Sequence, residues 1–401
     1  MKCVYCAEII SVGSLEHVLP QCLGGDFAPK ELQTQHCCKG CNSLLGRYVD
    51  RTFRRNWFIS NFLAISGHAY LESDTPRPIP LVYLGPTNEF SSEADEDVCE
   101  VWLGPCGEQV LHFRPRDASD DFLGVAGGDP VRARKESSVA YVSLTTVEPF
   151  WLEVTLRSIV DHFKKYKKVR KFLLSTPGDD ATRHAMERLG FDFPTRADSR
   201  FEFIRDRVFA PGRQGSGKIT WDVNFERRFL AKLALGLGVC SGGDRYVESS
   251  YADKLRAVLW RKDETDAAPE LLGYSDMLAS TSPKEPWQEL ISLPNAITLT
   301  TALSEQSFGY HLSLGGKHLG GLQISDDPDL FPRPDGEPAS QPVYVSVPSL
   351  NTVVTLPLHE LIAHKTGNYR HPQLTWLESV AARSACLPPK RPGISGVGPS
   401  H

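Results

Sequence analysis

After Asn42 the apolar residues recur at helical spacing, with Leu44, Leu45, Tyr48, Val49, Phe53, Trp57 and Phe58 on one stripe. The pattern predicts a helix running on from Asn42. The stretch 71–80, rich in proline, reads as an extended exit from it. From about residue 79 the period becomes that of strands. Residues 79–84, 98–103, 109–113 and 139–144 are short β-like runs, and Gly104-Pro105-Cys106-Gly107 is the turn between the second and third. An amphipathic helix is predicted over 150–165, a strand over 171–175, and a helix over 180–189 that stops at Gly190. Beyond the glycine-rich stretch 211–217, helices are predicted over 225–235, ended by Gly236, and over 251–261. Strands at 296–303, 309–314, 319–324, 343–347 and 353–356 follow, then a helix over 374–386. There is no internal repeat.

This succession predicts an α+β chain: a small N-terminal module followed by a larger mixed α+β region of unknown topology. The expected divisions are a module over 1–70, an α+β region over 79–210, a second over 218–386, and a Pro/Gly/Ser tail over 387–401 predicted to be disordered. A length of 401 residues agrees with two or three domains.

Composition narrows the class. Hydrophobic residues at 41% and charged residues at 23% are those of a soluble globular protein. No apolar run approaches the length that crosses a bilayer, so no membrane partner is expected. The N-terminus enters a cysteine pair directly, without a signal-like apolar region. Of ten cysteines, six fall between Cys3 and Cys41 and four of those have metal-ligand spacing. That distribution predicts a reduced, cytoplasmic protein with one zinc site, not a disulfide framework. A net charge of −5 excludes a generally basic nucleic-acid-binding surface, so any such contact must be local.

The chemistry is concentrated in the first 42 residues. They read Cys3-Val-Tyr-Cys6, Glu16-His17-Val-Leu-Pro20, Gly24-Gly25 and Cys38-Lys-Gly-Cys41-Asn42. Cys3, Cys6, Cys38 and Cys41 have the spacing of a tetrahedral structural Zn²⁺ site. Cys37 adjoins Cys38, and only the x-x spacing to Cys41 favours Cys38 as the ligand. Cys22 reads as a small buried hydrophobe. A neutral imidazole such as His17 takes a proton from water near neutral pH. A carboxylate and an amide oxygen, Glu16 and Asn42, suit a hard cation such as Mg²⁺.

Residues 3–55 resemble the HNH endonucleases of the ββα-metal, or His-Me finger, superfamily, in their zinc-containing branch. The resemblance implies a two-stranded hairpin packed on a helix, with Glu16-His17 on the first strand and Asn42 opening the helix. It assigns His17 as general base, and Glu16 and Asn42 as ligands of a catalytic Mg²⁺ or Mn²⁺. It implies phosphodiester hydrolysis, with DNA as the expected substrate, RNA as the other class, and phage defence as a familiar setting. The middle Asn of the family triplet has no counterpart between Gly25 and Cys38, where Gln33, Gln35 or His36 would take its place. Asp50, eight residues after Asn42, either orients a metal-bound water or is a solvated helix residue. Arg47, Arg51, Arg54 and Arg55 on the same helix are expected to meet phosphate oxygens. The rival class is a non-catalytic zinc ribbon that binds nucleic acid or protein. Residues 80–386 are expected to supply targeting or regulation by binding DNA, a ligand or a partner protein.

Three weaker patterns carry no site. Gly212–Lys218 resembles a nucleotide-binding loop but is followed by Ile219, not Ser or Thr. His359 and His364 are five apart, one too many for a helical zinc pair. The basic run 164–171 reads first as cations at a helix C-terminus.

Overall fold

Two six-stranded sheets organise the chain, and the N-terminal residues lie against both. The structure, a computed structural model, describes residues 1–90, 97–116, 129–133, 135–146, 148–164, 166, 168–175, 180–193, 199–210, 223–261, 267, 269–275, 286–331 and 341–384. The glycine-rich stretch 211–218, Lys165 and Lys167 of the basic run, and the tail 387–401 lie outside them.

The N-terminal module has the expected ββα form. Strand β1 (Glu16–His17) pairs antiparallel with β2 (Gln33–Thr34), setting Glu16 opposite Thr34 and His17 opposite Gln33. Helix α1 (Lys39–Leu45) follows, with Cys38 at its N-cap accepting from the Cys41 amide at 3.2 Å. The single helix predicted beyond Asn42 is instead three pieces. Gly46–Asp50 is a π-helical turn, α2 covers Arg51–Arg55, and the chain breaks at Asn56 before α3 (Trp57–Ala69). Asn56 leaves the helical region at ψ 138° because its side chain caps the next helix, accepting from the Phe58 amide at 2.8 Å.

The first sheet runs in the order β3 (Val82–Thr87), β4 (Asp97–Leu103), β5 (Gln109–Pro115), β6 (Ser137–Ser143), β7 (Lys168–Leu173), β8 (Phe191–Asp192). Pairing is antiparallel up to β6 and parallel from β6 to β8. The parallel part needs crossover helices. These are α4 (Pro149–Phe163) and α5 (Asp180–Arg188), and α5 gives way to Gly190 at φ 79°. Leu156, Ile159, Phe163 and Met186 cover one face, and Phe201 and Ile204 of α6 (Ser199–Val208) cover the other.

In the second half, α7 (Val223–Val247, with a break at Gly243) and α8 (Ser250–Leu259) precede β9 (Gly273–Ser275), β10 (Ile297–Leu303), β11 (Phe308–Leu314), β12 (Lys317–Ser325), β13 (Pro342–Val347) and β14 (Thr352–Pro357). These strands form an antiparallel sheet in the order β14-β13-β10-β11-β12-β9. Alternation sets its faces. Leu299 and Leu312 share one apolar cluster with α7, α8 and the N-terminal module, while Val343, Val345 and Val354 pack on α9 (Leu358–Lys365) and α10 (Pro372–Ala382).

Gly236 does not end its helix. A Cβ there would come within 2.8 Å of Val18 Cγ1, so it is a glycine of close packing where α7 crosses the module. His359 and His364 lie on α9 as a structural feature. The His364 ring accepts from the His371 amide at Nδ1 and meets Glu378 at 3.1 Å through Nε2, so that nitrogen carries the proton. Among the described residues no helix is long and apolar enough to cross a membrane.

Candidate metal centre and cleft

The four expected cysteines converge. The Sγ atoms of Cys3, Cys6, Cys38 and Cys41 lie within 4.8 Å of one another, and Cys6 and Cys38 are 4.0 Å apart. A tetrahedron of thiolates about 2.3 Å from zinc has edges of about 3.8 Å, so the quartet fits Zn²⁺. Cys38 belongs to this quartet, and the Cys37 thiol donates to the Cys38 carbonyl at 3.4 Å. Distant residues brace the knuckle. Arg256 donates to the Val4 carbonyl at 3.0 Å and Trp260 to the Tyr5 carbonyl at 2.7 Å. Cys22 is half-buried, and burial pushes its thiol up to about 11.

Along α1, the π turn and α2 opens a cleft of about 1250 Å³, lined among others by Glu16, His17, Asp26, Asn42, Asp50 and Arg54. Gly24 and Gly25 shape the loop beneath His17. Gly24 has φ 96°, and a Cβ on Gly25 would sit 1.8 Å from the Leu19 carbonyl oxygen. Ser346 of the second sheet pins the loop by donating to the Leu23 carbonyl at 2.6 Å. His17 is partly exposed, with Nδ1 3.8 Å from Asp26 Oδ1. Asn42 donates through Nδ2 to Ser14 Oγ at 3.0 Å and to the Leu15 carbonyl at 2.8 Å. That fixes the amide orientation and leaves Oδ1 as its cleft-side acceptor.

Glu16 is more deeply set than a solvent-facing ligand. Its Oε1 accepts from Tyr5 Oη at 3.3 Å and lies 2.8 Å from Lys232 Nζ, on α7. The same ammonium meets Asp50 Oδ2 at 2.8 Å and Oδ1 at 3.0 Å. Asp50, the last residue of the π turn, is therefore a partly exposed but paired carboxylate. Burial pushes the Glu16 carboxyl up, and the Lys232 ammonium pulls it back. Burial alone would lower Lys232, but Asp50 and Glu16 outweigh it and hold the ammonium above its ordinary value. Glu16 Oε2 takes no hydrogen bond among the described residues. Together with Asn42 Oδ1 it presents hard oxygens to one cleft, a donor set that fits Mg²⁺ or Mn²⁺ keeping several waters.

Three of the four arginines, Arg47, Arg51 and Arg54, line the cleft. Arg54 is exposed and lines the cleft. Arg47 pairs with Asp129 at 3.4 Å, and burial lowers the Arg51 guanidinium to about 10. Arg55 corrects the expectation of phosphate contact. It points into the interior, where Nη1 donates to Glu100 Oε1 at 3.3 Å and Nη2 to Tyr166 Oη at 2.9 Å. Adjacent helical positions differ by about 100°, so Arg54 and Arg55 must diverge.

Residues from far along the chain complete the cleft: Arg77, Asp161, His162, Lys164 and Asn351. Sequence reading missed these and Lys232. No local motif marks them, and the basic run containing Lys164 was the only signal in reach.

A four-cysteine cluster beside short paired strands and a helix fits a zinc-stabilised ββα module, and a cleft of imidazole, carboxylate and amide groups adjoins it. Residues 3–58 match the family model described as HNH endonuclease. No curated protein and no solved structure matches the chain.

Proposed function

We propose that this protein is a divalent-metal-dependent endonuclease that hydrolyses phosphodiester bonds in DNA. The observation that carries the reading is that His17, Glu16 and Asn42 line one cleft inside the segment that matches the nuclease family. His17 takes the proton from the attacking water. Asp26, close to the far ring nitrogen, orients the imidazole. Glu16 and Asn42 would hold Mg²⁺ or Mn²⁺, which when bound would supply positive charge to stabilise the scissile phosphate and the departing oxygen. Arg54 gives the phosphate backbone a cation at the cleft wall. The wall built by Arg77, His162, Lys164 and Asn351 supports a role for residues 80–386 in positioning substrate.

Supercoiled plasmid cleavage with Mg²⁺ or Mn²⁺ tests this, comparing wild type with His17→Ala and including an EDTA control. Wild type is expected to cut, and His17→Ala to lose about 10²–10⁴-fold in rate with zinc content unchanged. Equal cutting by both proteins refutes the general base. Cutting of a parallel RNA substrate in place of plasmid refutes the choice of DNA.

A further inference from the structure

The ammonium of Lys232 is the most buried charge of the centre, with a side chain 3% exposed, and the scheme above gives it no task. It lies 182 residues beyond Asp50, on a helix that carries no nuclease motif. Its three protons match three oxygens: Glu16 Oε1, Asp50 Oδ1 and Asp50 Oδ2. Asp50 grips it from the far side with both oxygens, while Glu16 gives it one and keeps Oε2 for the cleft. Two carboxylates and one ammonium leave the trio with a single negative charge.

We infer that Lys232 is a positioning residue that caps the Glu16–Asp50 pair and sets the centre's affinity for a free divalent cation low. The inference rests on the reading of Glu16 as a cation ligand. A cation at Glu16 Oε2 meets a carboxylate whose other oxygen already contacts an ammonium, so repulsion offsets part of the attraction. A bound phosphate adds negative charge and oxygen ligands at the same place. Retention of the cation then depends on substrate, and each raises the affinity for the other. Asp50 keeps the ammonium partly engaged away from Glu16, so Glu16 still retains some charge for the cation.

The test is Mn²⁺ titration of the zinc-loaded full-length protein without nucleic acid, followed by the electron paramagnetic resonance signal of free Mn²⁺. Lys232→Met is expected to bind Mn²⁺ about tenfold or more tightly than wild type. Lys232→Arg, which keeps the charge, is expected to stay near wild type, and Glu16→Gln to lose the site. Asp50→Asn is the second variant, in case the methionine protein does not fold. It leaves the ammonium to Glu16 alone and is expected to weaken Mn²⁺ binding several-fold. Equal affinity in wild type and folded Lys232→Met, with Glu16→Gln still losing the site, overturns the role of Lys232 and leaves the ligand reading standing. An unfolded Lys232→Met together with unchanged affinity in Asp50→Asn overturns it equally. No Mn²⁺ binding by wild type or by any variant, with zinc in place, overturns both readings.

Discussion

Replacing Arg55 with alanine separates a structural plug from a nucleic-acid contact. The side chain is 6% exposed, and its guanidinium lies 5.2 Å from the Tyr83 ring centre and 5.0 Å from that of Trp102. Its main partner, Glu100, is fully buried on β4 and also accepts from Arg114 Nε at 2.7 Å. Burial would raise the Glu100 carboxyl, but Arg55, His112 and Arg114 outweigh it and hold it well below the usual range. Removing one partner of a buried pair costs about 3–5 kcal/mol. Arg114 stays behind to compensate Glu100, so the low end, about 3 kcal/mol, is expected. Arg54→Ala is the control: an exposed position, it should change stability by no more than about 0.5 kcal/mol. Urea unfolding followed by tryptophan fluorescence reads the first effect, and DNA affinity against salt reads the second. Arg55→Ala should lose stability and keep the salt slope. Arg54→Ala should keep stability and lose about one unit of slope. An unchanged urea midpoint with a reduced slope in Arg55→Ala would refute the plug and return the guanidinium to the phosphate surface.

The other predictions concern zinc and pH. Cys38→Ser should lose zinc and the order of the module, because binding and folding are one event at such a site, whereas Cys37→Ser should keep zinc; metal analysis of the two proteins decides. Stability should fall as pH drops below about 6.5, the ordinary value of histidine. Burial lowers both His112 and His162, so the unfolded chain takes up protons that the folded chain refuses. Stability is then fully present above that pH and declines below it by up to about 3 kcal/mol per pH unit for the two imidazoles. A urea midpoint that is flat between pH 7.5 and 5 would falsify the assignment.

What could be read in advance was local. The cysteine quartet and most strands of both sheets follow from spacing and alternation within a few residues, and the β1–β2–α1 unit from the family resemblance of the motif. Of the arginine stripe only Arg55 fell away: Arg47, Arg51 and Arg54 line one cleft, and Arg55, next to Arg54 and so about 100° further round the helix, turns to Glu100. Gly236 was read as a stop because a glycine's local meaning is termination. Its actual reason, the Val18 side chain, lies 218 positions back in the chain. Lys232 had no signal at all: a lysine in Phe229-Leu230-Ala231-Lys232-Leu233 looks like the polar face of an amphipathic helix. Only the packing of α7 across the module makes it a counter-ion.

The distance from Asp50 to Lys232 is also a time. A ribosome adding about 5–20 residues per second takes about 9–36 s to cover the 182 positions between them. For that interval the nascent chain carries a complete cysteine quartet and an acid pair without its cation. Synthesis order therefore completes the cysteine quartet first and supplies the counter-ion of the acid pair afterwards.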